Sequence, residues 1–438
     1  MAIKLLQAVE WNGVSYPRGS TPPGLSFGDE AALVGSHRAE WDGQNLQAGG
    51  AVPVMGRNNP LTGVVEITAG GEPVSVGGGS SVEGDMRIWR KAMADVARGA
   101  GTGADVLLIG DSVMEGLNGG NYMNRIGYGI SKRLTARGIL SEYNGMLGFG
   151  SVTTNATALA ADSRIATFGS SNVDSTFAAN PTNFTLSHII GGSRCLLPAI
   201  GSPSIEFQPL HEYDRVRVWG QTDPTYATDI VAKSGGVEIG TLICRSGQAS
   251  SGVANATYSV ALNSAPLSFE RLNDLGSGRL IGFQAYNSTK PAIRILKAGV
   301  SSSRSRYWAN NAFRSSPQRS FVDIGAKLVV FMGTINDRLT DPAEYIANLK
   351  IIGDAVVAAG GNFLIVPSCE TSVMTVSDPI VLAAKQAAIE NGFAWFNSTA
   401  EFGSYADLSA DFYSDTVHPN ATGYSDLARI LEKAIALA

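Results

Sequence analysis

The sequence predicts an α/β protein built on a parallel sheet, with an antiparallel β module set into the chain. Three observations carry that reading. Residues 106–109 are apolar and β-rich at every position, as a strand buried on both faces requires, and they run straight into Gly110-Asp111-Ser112 with Gly116 close behind. Residues 328–332 repeat the pattern and end in Gly333-Thr334-Ile335-Asn336-Asp337. From Gly333 onward, short apolar strands alternate with helical periods, the order that produces parallel sheets with right-handed crossovers.

Taken in order, residues 1–85 are punctuated by Gly and Pro and hold short β-like runs such as 63–68, with one helical turn over 29–41. So few apolar residues bury little core, so this region is expected to attach to a partner or to its own copies, or to serve as a flexible leader. Gly77-Gly78-Gly79-Ser80-Ser81 reads as a linker. Met86, Trp89, Met93, Val96 and Ala97 recur at helical spacing and predict a helix over 86–98, closed by Gly99. The strand over 106–109 follows, then a crossover helix over 121–137.

Between Gly150 and Gly333 the period changes to two. Residues 213–219, 229–232, 237–243, 257–262, 279–286 and 292–296 read as strands separated by turn residues, which predicts a β-sandwich inserted at 181–300. Its pattern resembles carbohydrate-binding jelly rolls, and Trp219, Tyr226, Tyr258 and Tyr286 are expected mostly in its core rather than stacked on sugars. A helix over 342–359, a strand over 363–366, a helix over 379–391, a strand over 394–396 and a closing helix over 420–437 complete the chain. The expected domains are therefore 1–85, 86–180, 181–300 and 301–438, the second and fourth being two parts of one α/β domain.

Gly110 allows a sharp turn that leaves the Ser112 hydroxyl at the carboxyl end of a buried strand, where a nucleophile is useful. By itself Gly-Asp-Ser is more often a helix cap. Asp415-Thr416-Val417-His418 changes that balance, because a carboxylate three residues before a histidine can fix its tautomer while the other ring nitrogen takes a proton from a serine. His37, His188 and His211 have no such partner. The Asn336 amide, at the end of the second strand, could donate to an oxyanion.

Gly110-Asp111-Ser112 with Gly116, Gly333 to Asp337, and Asp415 to His418 together resemble three sequence blocks of the SGNH, or GDSL, hydrolase superfamily. The resemblance implies a flavodoxin-like three-layer α/β fold. It also implies a catalytic triad of Ser112, His418 and Asp415, and an oxyanion hole formed by the backbone N–H groups of Ser112 and Gly150 with the Asn336 amide. Gly148 is the alternative to Gly150. The sequence departs from the family pattern at one point: both Thr334 and Ile335 separate Gly333 from Asn336, where the family has a single residue. The implied activity is a serine esterase on short acyl groups. With the inserted module and the Gly-rich leader, the expected substrate is an O-acetylated bacterial surface polysaccharide. The expected setting is a trimeric phage tail protein in contact with other virion proteins. The alternatives are a secreted bacterial esterase or lipase, or a glycan-binding virion protein without activity.

Composition narrows the field. Charged residues are 16% of 438, against ~25% in typical domains. The net charge is −5 with no basic run, which argues against nucleic-acid binding. No stretch approaches the ~18 apolar residues of a membrane span. Cys195, Cys244 and Cys369 stand far apart, so buried thiols are expected rather than disulfides or a metal knuckle. Neither a phosphate loop nor metal-ligand spacing is present, so no cofactor is expected. The N-terminus lacks a long apolar h-region and a clear cleavage site, so a Sec signal is expected to be absent or already removed; the expected location is the virion tail or the extracellular space, with secretion as the alternative.

Overall fold

The computed structural model describes residues 82–119, 125–148, 205–222, 228–245, 252–273, 278–311 and 316–437. It also describes 164–167, 173–174, 190, 194–197 and seven short strands within 1–85. The chain divides into two compact units, 1–85 with 437–438, and 86–436.

In the first unit, Ile3–Leu5 pairs antiparallel with Ala39–Trp41, Val9–Trp11 with Val14–Tyr16, and Arg57–Asn58, Val65–Ala69 and Glu72–Val76 form a three-stranded sheet. Of the run expected over 63–68, residues 65–68 lie in a strand, and 63–64 lie outside the described residues. The turn expected over 29–41 is not helical at its end, where pairing to Ile3–Leu5 overrides local spacing. Residues 29–38 lie outside the described residues.

The second unit holds a six-stranded, all-parallel sheet. Its spatial order is Ala394–Trp395, Asn362–Ile365, Leu328–Met332, Ala104–Gly110, Ile293–Lys297, Ser141–Glu142. From the central Ala104–Gly110 strand the chain first moves one way, through helix Ile126–Ala136. It later moves the other way, through helices Pro342–Ala358 and Pro379–Asn391. Right-handed crossovers in opposite directions place these helices on opposite faces of the sheet, which gives three layers. Buried on both faces, every residue of Ala104–Gly110 and Leu328–Met332 is shielded from solvent. Helix Arg87–Ala97 buries Trp89, Met93 and Val96, and the Trp89 indole N–H donates to the Ile435 carbonyl at 2.8 Å. Ala97, expected on that face, is exposed.

Two antiparallel sheets complete the unit. One contains Gly145–Leu147, Val173–Asp174, Arg194–Leu197, Tyr213–Thr222, Gly252–Asn263 and Gly278–Tyr286. The other contains Ile165–Thr167, Ile205–Phe207, Ile230–Ser234, Val237–Leu242 and Leu267–Arg271. They share one apolar core, in which Phe283 of the first sheet packs on Phe207 and Phe269 of the second, each at 4.8 Å between ring centroids. Trp219 is fully buried, with Arg217 lying 4.8 Å over its ring, and Tyr286 lies 4.5 Å beneath Arg294. Tyr226 lies outside the described residues.

The run at 292–296, read with the antiparallel strands, belongs to the parallel sheet instead, as Ile293–Lys297. A five-residue apolar strand has the same local pattern in either sheet, and only its partners distinguish them. The antiparallel pairing also starts earlier than 181, at Gly145–Leu147, which lies only two residues beyond the parallel strand Ser141–Glu142. Asn144 fixes that crossing: its carbonyl accepts from Ala285 N–H, and its side chain accepts from Leu210 N–H and donates to the His211 carbonyl. Asp105 ties the same seam from the other side. It accepts from Arg294 Nε at 2.7 Å and Gln284 Nε2 at 3.0 Å, while Arg217 Nη1 lies 3.8 Å away.

Gly110 is the tightest point of the fold. Its φ is +149°, and a Cβ built there would sit 1.7 Å from the Met332 carbonyl oxygen. Gly110→Ala must therefore push the two central strands apart, and we expect a loss of at least about 3 kcal/mol in stability or no folded protein. Chemical denaturation followed by circular dichroism measures this.

Candidate active site

The order of the parallel sheet reverses between Ala104–Gly110 and Leu328–Met332, so the loops leaving their carboxyl ends diverge and open a crevice. Ser112 stands there as the first residue of a one-turn helix, Ser112–Glu115. Asp111 caps it, accepting from Val113 N–H through Oδ1 at 2.9 Å, while Asp111 N–H donates to the Met332 carbonyl at 3.0 Å. Gly116 closes the turn in the left-handed conformation. Ser112 N–H, one of the donors a helix start leaves unspent, has no acceptor among the described residues.

The loop before the last helix, Ala421–Leu437, brings the other two predicted residues to Ser112. His418 Nε2 lies 2.9 Å from Ser112 Oγ, and His418 Nδ1 lies 2.8 Å from Asp415 Oδ2. The three-residue spacing works because Asp415 folds its own loop: Oδ1 accepts from Val417 N–H and His418 N–H, both at 2.7 Å. Ser414 N–H donates to the His418 carbonyl at 2.9 Å, and Ser372 N–H to the Thr416 carbonyl at 3.1 Å. Partial burial pushes Asp415 up, but the His418 and Val417 N–H groups and the imidazole outweigh it and hold the carboxyl below its usual range. An ionised Asp415 keeps the proton on Nδ1, leaving Nε2 to accept from the serine hydroxyl.

Asn118 escaped the sequence reading. Its side-chain amide donates to Asp415 Oδ2 at 3.0 Å, and its φ is +65°. The Tyr424 hydroxyl holds the loop in place by donating to the Leu117 carbonyl at 2.7 Å. The signal available in sequence was an Asn-Gly pair just after the nucleophile, a common turn that carries no chemistry by itself.

Asn336 lies in a 3₁₀ turn, Ile335–Asp337, which absorbs the additional residue after Gly333. Its amide donates to the Ser303 carbonyl at 3.1 Å. Thr334, the residue before the turn, is buried and clasped to Ser368: its hydroxyl accepts from Ser368 N–H at 2.9 Å. Gly150 lies outside the described residues. Gly148 does not have a free donor, since its N–H goes to the Ile281 carbonyl at 2.7 Å.

Beneath the serine lie two buried carboxyls. Loss of hydration pushes Asp111 up to about 7, with the neighbouring Asp337 charge adding to it, and the same burial raises Asp337 to about 6. Both serve loops: Asp337 accepts from Ser305 N–H at 2.6 Å, Ser305 Oγ at 3.0 Å and Thr340 Oγ1 at 3.0 Å. Among the described residues no group of three or more His, Cys, Asp or Glu side chains could hold a metal ion, and no helix is long and apolar enough to cross a membrane.

No protein-family model matches the chain, and no curated protein matches its sequence. Among solved structures, a peptidoglycan O-acetylesterase is similar in fold, with a TM-score of 0.62 at 15% identity, covering 81% of this chain and 97% of that one. A Bacillus subtilis protein aligns at a TM-score of 0.32 and 11% identity, covering 67% of this chain and 90% of that one. An acetylxylan esterase from Geobacillus stearothermophilus aligns at 0.26 and 20%, covering 33% and 73%. The likeness to the first of these is one of fold, a mixed α/β architecture that in this chain has a six-stranded parallel sheet.

Two outcomes follow from the electrostatics. Asn118→Gly keeps the left-handed turn and removes the amide. Because the bond is solvent-exposed, turnover of p-nitrophenyl acetate should fall only about three- to tenfold. For Asp111, the folded pKa exceeds the unfolded one, so the native state holds the extra proton between about pH 4 and 7 and loses stability as pH rises through that window. Asp111→Asn keeps the cap acceptor without the charge, and its melting temperature should gain on wild type from pH 4 to pH 8.

Proposed function

We propose that the protein is a serine esterase that removes O-acetyl groups from a polysaccharide. One observation carries the reading: a continuous hydrogen-bonded relay from Ser112 Oγ through both nitrogens of His418 to Asp415, at 2.9 and 2.8 Å. A cap and a turn alone require none of this alignment, whereas acyl transfer requires all of it.

The chemistry runs through groups already in place. Ser112 Oγ attacks the ester carbonyl as His418 Nε2 takes its proton. The tetrahedral oxyanion collapses, the C–O bond to the sugar breaks, and the leaving hydroxyl takes the proton back from Nε2. Water, deprotonated by the same nitrogen, then attacks the acyl-Ser112 carbonyl and releases acetate, and Ser112 regains its proton. Asp415 keeps the imidazole in its working tautomer and stabilises the imidazolium. Ser112 N–H and the Asn336 amide are the proposed oxyanion donors from the predicted set.

The substrate class is supported by the fold likeness to a peptidoglycan O-acetylesterase, which covers 81% of this chain. Under this proposal the antiparallel module helps hold the glycan. Residues 1–85 serve attachment and trimerisation on a virion tail, a role supported by their short strand pairs and their low apolar content.

Acetate release from p-nitrophenyl acetate should fall at least about 10³-fold in Ser112→Ala and in His418→Ala, with activity on longer acyl chains declining in wild type. Wild-type turnover no faster than Ser112→Ala, on both this ester and acetylated glycans, would overturn the reading.

A further inference from the structure

We infer that the backbone N–H of Ser302 is an oxyanion donor of this site, in the place the sequence reading gave to a glycine near 150. The inference rests on the esterase reading above and names a residue that no glycine pattern would select.

Strand order is the first ground. The strand beside Ala104–Gly110 on the side away from Leu328–Met332 is Ile293–Lys297, not a strand near 145–150. Lys297 pairs with Leu108, and Ala298 N–H and Val300 N–H go on to the Leu108 and Gly110 carbonyls, so the loop at 298–304 runs along the turn that carries Ser112. Gly145–Leu147 instead pairs antiparallel with Gly278–Tyr286, and Gly148 N–H is spent on that sheet.

The second ground is how this loop is tied. Val300 N–H and the Ser303 hydroxyl both donate to the Gly110 carbonyl, at 2.9 and 3.0 Å. Ser301 N–H donates to Glu115 Oε2 at 2.5 Å, and Lys297 Nζ to the Glu115 carbonyl at 2.7 Å. The Ser303 carbonyl accepts from Asn336. The loop is thereby fastened to residues on either side of Ser112 and to the amide proposed as the other donor. An amide nitrogen has two hydrogens, so Asn336 can hold Ser303 with one and offer the second.

The third ground is Ser302 itself. Within this clamped loop, residues 300, 301 and 303 all spend their N–H groups, whereas Ser302 N–H has no acceptor among the described residues. Its φ is +63°, and besides Asn118 no other described non-glycine residue has a positive φ. Such a conformation is disfavoured for serine and persists where the surroundings impose it. It sets the 301–302 peptide apart from the run of bonds its neighbours make, and Ser302 N–H, with Ser112 N–H and Asn336 Nδ2, is thereby assigned to the oxyanion.

The test replaces Ser302 by its α-hydroxy acid through nonsense suppression, which swaps the N–H for an ester oxygen while keeping the side chain. The expected result is a loss of kcat by about 10²- to 10³-fold on p-nitrophenyl acetate, with KM within a few-fold and an unchanged melting temperature. Ser302→Gly, which keeps the N–H and tolerates the turn, should retain kcat within about threefold, and Ser302→Val, which resists positive φ, should lose it. These two variants decide the matter if the ester-containing protein does not fold. A backbone ester with near-wild-type kcat, or an inactive but folded Ser302→Gly, would overturn the assignment while an inactive Ser112→Ala leaves the esterase reading standing. A Ser112→Ala as active as wild type would remove both.

Discussion

The candidate active site of this protein depends on how closely two strands approach. Asp111 N–H reaches the Met332 carbonyl at 3.0 Å because Gly110 has no side chain to keep them apart. From that contact the chain turns sharply enough for Asp111 to cap a single helical turn, with Ser112 as its first residue. The serine is then almost wholly shielded, at 6% exposure, with its hydroxyl 2.9 Å from His418 Nε2. A wider seam would move Ser112 away from His418, whose own loop is fixed independently by Asp415, Ser414 and Ser372. Each half of the relay is therefore held by its own local bonds, the Asp111 cap on one side and the Asp415 turn on the other.

The same logic explains how two sheets of different kinds share one unit. The chain leaves the parallel sheet at Glu142 and enters the antiparallel one at Gly145, so a single short segment belongs to both. A Cβ at Gly145 would come 2.6 Å from the Phe283 carbonyl, which again makes a glycine the condition of close approach. Asp105 then gathers Arg294, Gln284 and Arg217 from three strands of the two sheets. Buried charge of this sort contributes little net stability but strongly penalises any other register, since each misalignment strands an ion. The chain returns from the antiparallel module as Ile293–Lys297, directly beside the serine's strand, and delivers the loop at 298–304 to the site.

Much of this was legible in the sequence. The apolar runs at 106–109 and 328–332 and the helical spacing of Trp89, Met93 and Val96 report burial directly, because each pattern is local. Ser112, His418 and Asp415 were also within reach, since Asp-x-x-His is a self-contained turn whose carboxylate bonds its own backbone. What was not legible depends on partners. Ile293–Lys297 has the same composition whether its neighbours run parallel or antiparallel, so it was read with the wrong sheet. Gly148 and Gly150 came from the glycine that the family pattern places after the second strand; Gly148 N–H is bonded to the Ile281 carbonyl, and Gly150 lies outside the described residues. Asn118 was hidden for a similar reason: its partner lies 297 residues further along the chain.

If His418 activates Ser112, the serine reacts covalently with an electrophile only while the imidazole is present. Incubation with a fluorophosphonate followed by peptide mass mapping should place one adduct on Ser112 in the wild-type protein and none in His418→Ala. Labelling that falls on another serine, or that proceeds at equal rates in the two proteins, would contradict the account.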